Sequence, residues 1–332
     1  DRLTLTTASA DRVQFTAAGG TYTWVVSGAK VGASYTATET AGFGFNNVLR
    51  NANDAISASA NCTADSKATM TIRNNYTALT GTLTFAKHDA LTNGALAGAT
   101  FTLNTKEDFS GDTVAEAVSQ ADGSVTFANL KVGTYYMKET GAPADYQADA
   151  KVYRITVVAA KLIDGVAQSS NVTVTMESRS GIGWSAVAAA NGAIALNNTP
   201  KTQSVSATKT WADNSNQDGK RPSSVSFQLY KTVNGTAAKV GSAVSVSGSG
   251  DVWTASWKDM PIRENGSLIV YSVKEVVGGS ELADGSSFNA KSGDADSVYT
   301  VSYTGALAVT NTHAQVTIEL PVTKVWADDA NH

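Results

Sequence analysis

The sequence has a single cysteine, Cys62, so no disulfide can form within the chain. Three histidines beside that one thiol argue against a zinc site of the usual ligand types, and no other metal or cofactor site is expected. Only 16% of the residues are charged and the net charge is −4, which excludes the basic face of an electrostatic nucleic-acid binder. No stretch approaches the roughly 18 apolar residues of a membrane span, and no signal peptide opens at Asp1. Helical periodicity is scarce too. Its best candidate, Thr113 to Ser119, is short and partly β-branched. What is present is 42% hydrophobic residues in 332, enough for ordinary cores in two or three domains of about 100–150 residues each.

Period-2 alternation dominates the remainder. It recurs in Thr82-Leu83-Thr84-Phe85, Tyr153-Arg154-Ile155-Thr156-Val157, Asn171-Val172-Thr173-Val174-Thr175 and Val225-Ser226-Phe227-Gln228-Leu229. Turn clusters such as Ala121-Asp122-Gly123-Ser124 and Ser247-Gly248-Ser249-Gly250 separate these runs. Many short strands with glycine-rich turns predict an all-β chain of Ig-like or prealbumin-like β-sandwiches in a row.

An internal repeat sets the boundaries. A tyrosine-containing strand ending in glutamate occurs at Tyr35 to Glu39, Tyr135 to Glu139 and Tyr271 to Glu275. A later strand ends in asparagine at Asn74, Asn198 and Asn311, which lies 35, 59 and 36 residues beyond its glutamate. The longer middle spacing predicts an insertion around Lys161 to Asn191. A strand carrying lysine follows each asparagine after 13, 11 and 13 residues, at Lys87, Lys209 and Lys324. The order Lys, Glu, Asn thus repeats and is cut at both ends, as in a piece of a longer polypeptide. The expected units are 1–80 without its opening strand, 81–202, 203–314, and a linker with the first strand of a further domain at 315–332. Lys30 and Lys67 do not occupy the opening-strand position that would complete Glu39 and Asn74.

Strand parity makes these residues chemically notable. Leu83, Phe85 and Lys87 share one face, as do Val205, Ala207, Lys209 and Trp211, and again Leu320, Val322, Lys324 and Trp326. Glu139 aligns with Tyr135 and Met137, Glu275 with Tyr271 and Val273, Asn198 with Ile194 and Leu196, and Asn311 with Val309. Each Lys, Glu and Asn therefore points where the apolar residues point. A lone buried charge costs several kcal/mol, so it must be neutralised or paired. Burial lowers a lysine pKa and raises a glutamate pKa, which leaves a nucleophilic amine beside a neutral acid. That acid can polarise the asparagine carbonyl and carry a proton to departing ammonia. The product is a Lys–Asn isopeptide bond, a single-turnover folding reaction that makes the protein no enzyme. The competing reading is a buried hydrogen-bonded ion pair.

Residues 83–200 resemble SpaA-type pilin domains of Gram-positive bacteria. The resemblance rests on Leu96-Ala97-Gly98-Ala99-Thr100-Phe101, Asp122-Gly123-Ser124-Val125-Thr126-Phe127, Gly133-Thr134-Tyr135-Tyr136 and Lys138-Glu139-Thr140-Gly141-Ala142-Pro143. Residues 204–313 resemble the collagen-adhesin B-type (CnaB) domain through Thr208-Lys209-Thr210-Trp211, Asn216 to Pro222, Tyr271 to Glu275 and Val309-Thr310-Asn311-Thr312. Residues 1–77 are similar to the back half of a pilin isopeptide-linkage domain through Tyr35 to Glu39 and Thr71-Ile72-Arg73-Asn74. The resemblance implies shafts or stalks of cell-wall-anchored adhesins and pili, usually cross-linked by spontaneous isopeptide bonds. By position it implies Lys87–Asn198 and Lys209–Asn311 cross-links with Glu139 and Glu275 as promoting acids. Its partners would be neighbouring domains of the same polypeptide. The alternative is an adhesin region that grips a host glycan or matrix protein.

Lesser motifs take plainer readings. Leu320-Pro321-Val322-Thr323 opens like a sortase signal, but Lys324 stands where glycine is required, so a linker is expected. Asn214, Asn216, Asp218 and Gly219 mimic half a calcium loop, but its twelfth position is Val225, which leaves an ordinary inter-strand loop. Trp253 and Trp257 share a strand face and are expected in a core rather than as a sugar platform.

Overall fold

The computed structural model describes residues 13–19, 21–38, 48–50, 54–55, 57–64, 67–73, 75–159, 162–163, 166–167, 172–190, 192–315 and 317–326. Between 13 and 78 the described strands form three separate antiparallel pairs: Val13–Ala18 with Thr21–Val26, Ser34–Thr38 with Ser57–Asn61, and Val48–Arg50 with Tyr76–Ala78. Glu39 and Asn74 lie outside the described residues.

The first sandwich begins with β1 (Thr80–Asp89), where sequence alternation becomes alternating burial: Leu83, Phe85, Lys87 and Asp89 all turn inward. It continues through β2 (Thr100–Asn104), β3 (Thr113–Val118), β4 (Ser124–Lys131), β5 (Gly133–Gly141) and β6 (Val152–Ala159). Then follow β7 (Val172–Ser180), β8 (Gly183–Ala186), β9 (Ala189–Ala190) and β10 (Ala193–Asn198). One sheet has the order β4-β1-β10-β9 and the other β8-β7-β6-β5-β2-β3. Their inner faces meet in a core where Phe85 of β1 and Phe101 of β2 pack edge to face at 5.0 Å. The helical candidate Thr113 to Ser119 is corrected to the edge strand β3, antiparallel to β2. Ala115 and Ala117 alternate toward the core there, and the β-branched Thr113, Val114 and Val118 suit a strand.

The second sandwich contains β11 (Thr202–Ala212), β12 (Val225–Val233), β13 (Thr236–Val246), β14 (Val252–Pro261), β15 (Arg263–Glu264) and β16 (Ser267–Leu268). It closes with β17 (Val270–Val277), β18 (Ser280–Glu281), β19 (Ser287–Asn289), β20 (Val298–Gly305) and β21 (Ala308–Thr312). A five-stranded sheet β14-β11-β21-β20-β19 faces a four-stranded sheet β13-β12-β17-β18. Trp211, Trp253 and Trp257 all lie in the core between them, with Trp211 about equally close to Trp253 (5.0 Å) and Tyr299 (5.1 Å). In each sandwich the first and last strands are parallel neighbours, β1 with β10 and β11 with β21.

The loop that mimics half a calcium site holds an ion-pair network instead. Arg221 pairs with the buried Asp213 and with Asp251, while Asp218 reaches His313, just beyond β21. His313 Nδ1 donates to the Val298 carbonyl at 2.8 Å and Nε2 to Asp218 at 2.7 Å, so both ring nitrogens face acceptors. Burial pulls the His313 pKa down, but the carbonyl and the carboxylate outweigh it and hold the group above the ordinary 6.5. A raised histidine pKa contributes stability that is full below the unfolded value and lost as pH rises through the folded one. The second sandwich is therefore expected to lose stability between pH 6 and pH 9. Melting of the wild type and of His313→Gln across that range checks it: the variant should show a flatter pH profile.

Candidate cross-linking sites

Each sandwich brings a lysine, a glutamate and an asparagine together in its interior. Lys87, Lys209, Glu275 and Asn311 are 0% exposed, Asn198 1% and Glu139 7%. The strands that hold them repeat one register. Lys87 on β1 pairs across to Leu196, two residues before Asn198, and Lys209 on β11 pairs across to Val309, two residues before Asn311. Lysine and asparagine are thus diagonal neighbours on one sheet's inner face. The glutamate comes from the opposing sheet, on β5 or β17, so each trio spans the sandwich.

In the first sandwich Asn198 Nδ2 donates to Glu139 Oε1 at 2.6 Å, and Lys87 Nζ donates to the Leu196 carbonyl at 3.1 Å. The Asp149 amide donates to Glu139 Oε2 at 2.5 Å, and Tyr153 OH holds the Asp149 carboxylate at 2.6 Å. In the second, Asn311 Nδ2 donates to Glu275 Oε1 at 2.8 Å, and Lys209 Nζ lies 3.9 Å from Glu275 Oε2. Lys209 Nζ also donates to the Thr210 carbonyl at 3.2 Å and sits 4.2 Å from the Trp211 ring centroid. The carbonyl oxygens of Asn198 and Asn311 are buried without a hydrogen-bond partner, as is Glu275 Oε2.

The electrostatics follow from burial. Desolvation pulls Lys87 down to about 8 despite the opposing charges of Glu139 and Asp149. It pulls Lys209 down as well, against the pull of Glu275 and Asp213. Desolvation also pushes Glu139 and Glu275 up, against the hydrogen bonds from their asparagines and the lysine charge. Amine and acid are both driven toward their neutral forms. Rotating either carboxamide by half a turn exchanges its oxygen and nitrogen, and a protonated glutamate can then donate to the carbonyl left unpaired.

Lys324, by contrast, is exposed, with its amine 3.3 Å from the Trp326 ring centroid. Asp149 and Tyr153 were not legible as site residues, because an irregular loop carries Asp149 to Glu139. Trp211 was legible, two residues from Lys209 on the same strand face. Among the described residues no His, Cys, Asp and Glu cluster could hold a metal, and no helix is long and apolar enough to cross a membrane.

A family model described as a SpaA prealbumin-like fold domain matches residues 81–171, and the Cna protein B-type domain matches residues 205–312. A collagen adhesin of Staphylococcus aureus is 29% identical over 133 residues, which cover 40% of this chain and only 10% of that protein. Similar solved structures include a single B repeat unit of the S. aureus collagen-binding surface protein. It shows 18% identity over 70% of this chain and 98% of that one, with a TM-score of 0.23. The major pilin subunit BcpA of Bacillus cereus is 18% identical over 62% of this chain and 61% of that one, with a TM-score of 0.27. The matched domains are structural domains of pilins and adhesins rather than enzymes, and the chain carries one domain of the SpaA type and one of the Cna B type.

Proposed function

We propose that the chain is a stalk or shaft segment of a bacterial cell-surface adhesin or pilin, made rigid by one spontaneous Lys–Asn isopeptide bond in each sandwich. The observation that carries this reading is the recurrence of a buried Lys, Glu and Asn in one register in both sandwiches. A structural ion pair needs no asparagine diagonal to the lysine with its carbonyl unpaired. In the reaction the neutral Lys Nζ attacks the asparagine Cγ while the glutamate O–H donates to Oδ1. The glutamate then takes the proton lost by Nζ and returns one to the departing nitrogen. The Nζ–Cγ bond forms, the Cγ–Nδ2 bond breaks and ammonia leaves. No cofactor is required.

The acid is the group to test. Glu139→Gln and Glu275→Gln keep the shape of the side chain but supply no transferable acid proton. Each variant should fold and, measured against its own sequence mass, lose one ammonia fewer than the wild type does, because its bond does not form. A variant that loses as many ammonia molecules as the wild type assigns the catalysis elsewhere.

The match to a collagen adhesin supports a second reading, host-ligand binding. On the outer face of the six-stranded sheet the half-buried Trp184 lies 6.0 Å from Tyr136, with the Arg154 and Arg179 guanidinium carbons 5.0 and 5.6 Å from its ring. Binding of the chain to immobilised collagen, abolished by Trp184→Ala, would favour this reading over the stalk.

A further inference from the structure

Two large apolar residues are buried yet belong to neither sandwich core. Leu96 is 0% exposed and Tyr146 2%, and both lie where the first sandwich meets the second. Beside them Asp89, the last residue of β1, is fully buried and in no ion pair. A carboxylate in that position must have its lone pairs filled by donors. Its Oδ1 accepts from the Leu91 amide at 2.8 Å, and its Oδ2 accepts from Tyr146 OH at 2.7 Å. The remaining donor comes from the other sandwich. The Asn265 amide reaches Asp89 Oδ2 at 2.9 Å, and the next amide, Gly266, donates to Tyr146 OH at 3.0 Å. Gly266 N–H, Tyr146 O–H and Asp89 thus form one chain of hydrogen bonds running from the second sandwich into the first.

The donors sit on a preformed hairpin. β15 and β16 pair Arg263 with Leu268 and Glu264 with Ser267, leaving Asn265 and Gly266 as a two-residue turn with φ of 48° and 79°. Such turns suit an Asn-Gly pair, and their two amides point away from the ladder. The same hairpin places Arg263 Nε 2.8 Å from Asp145 and brings the Asn265 side chain to Thr92. A Cβ on Gly94 would meet the Asn265 side chain at 2.2 Å. The linker adds backbone bonds from Lys201 N to the Asp145 carbonyl (2.7 Å) and from Ile262 N to the Lys201 carbonyl (2.9 Å).

We propose that the Arg263-Glu264-Asn265-Gly266 turn is a docking element that recognises the acidic end of the first sandwich and locks the two sandwiches in one orientation. The lock is independent of the cross-links. The acidic end supplies Asp89 and Asp145 as acceptors and Leu96 as an apolar seat, and the hairpin supplies two unpaired amides and a guanidinium. The second sandwich contains its own control. Asn234 and Gly235, joining β12 to β13, form a turn with nearly the same φ (49° and 81°), and among the described residues their amides have no hydrogen-bond partner.

Amide hydrogen exchange on the whole chain tests the proposal. The Asn265 and Gly266 amides should exchange roughly tenfold or more slowly than those of Asn234 and Gly235. Tyr146→Phe keeps the ring and removes the acceptor of the Gly266 amide, so it should abolish that protection. Gly94→Leu drives a wedge against Asn265 from an exposed turn and should do the same while leaving exchange in β1 and β5 unchanged. Adding Asn265→Gly, which suits the positive φ, should restore part of the protection in the Gly94→Leu background. Orientation is read by spin labels at Thr126→Cys and Thr254→Cys in a Cys62→Ser background. The distance distribution should be narrow, and broad once Gly94→Leu is added. Equal exchange at the two Asn-Gly turns, or a broad distribution in the unwedged chain, would overturn the proposal. Should Tyr146→Phe fail to fold, the Gly94→Leu arm decides alone.

Discussion

The purified chain is expected to weigh two ammonia molecules less than its sequence. One comes from Lys87 with Asn198 and one from Lys209 with Asn311, the two trios that meet in a sandwich interior. Nothing should be lost at Lys324, whose side chain is exposed. Lys87→Ala and Lys209→Ala should each restore one ammonia mass, and the double variant both. Digestion should yield a branched peptide joining the strands named and no others. A wild-type mass equal to the sequence mass leaves only the ion-pair reading. That reading is physically expensive. Each trio holds a lysine whose charge burial disfavours, beside carboxamide oxygens with no donor. Conversion to an uncharged amide removes the first cost, and the protonated glutamate beside it can supply the donor that the carbonyl oxygen lacks.

The second large effect is on stability. The loops closed by the two bonds run from Lys87 to Asn198 and from Lys209 to Asn311, each a little over 100 residues. By the chain-entropy relation developed for disulfides, closing such a loop restricts the unfolded state by roughly 4.7 kcal/mol. Lys87→Ala should accordingly lower the melting temperature of the first sandwich and admit trypsin to it, with the second unaffected. Lys209→Ala should do the reverse. Part of each loss is the cavity left by a buried lysine stem, so Lys87→Met and Lys209→Met, which fill that space, separate packing from linkage. A Met variant as stable as the wild type would mean that the bond adds nothing. Reducing agents should leave the wild type unchanged, since the link does not depend on the one thiol present.

Much of the architecture could be read before any coordinates because strand parity is a strict code. The inward turn of Lys87, Glu139, Asn198, Lys209, Glu275 and Asn311 follows from the apolar residues two positions away. Register is a different matter. That lysine lies opposite the residue two before asparagine depends on how distant strands align, and no single strand records that. Thr113 to Ser119 is ambiguous in sequence because Ala-Glu-Ala fits either period, and pairing with β2 makes it a strand. Asp89 continues the inward parity of Leu83, Phe85 and Lys87, so its burial was legible. Its amide donor at Asn265 was not, since it lies 176 residues away on another sandwich. Glu39 and Asn74 fall outside the described residues.

The parallel pairing of first and last strands also sets how far one sandwich carries the chain. A chain that enters along β1 and leaves along β10 travels the same way in both, so it arrives at one pole and departs from the other. The distance between poles is the length of one strand. At about 3.3 Å per residue, the ten residues of β1 and the eleven of β11 both span some 30–40 Å. Everything between Asp89 and Ala193 is an excursion that begins and ends at those poles. The first sandwich carries 59 residues from glutamate to asparagine where the second carries 36, yet its opening strand is no longer. Inserted sequence therefore broadens a module and leaves its axial step alone. Domains of unequal size can be strung in series at an almost constant pitch.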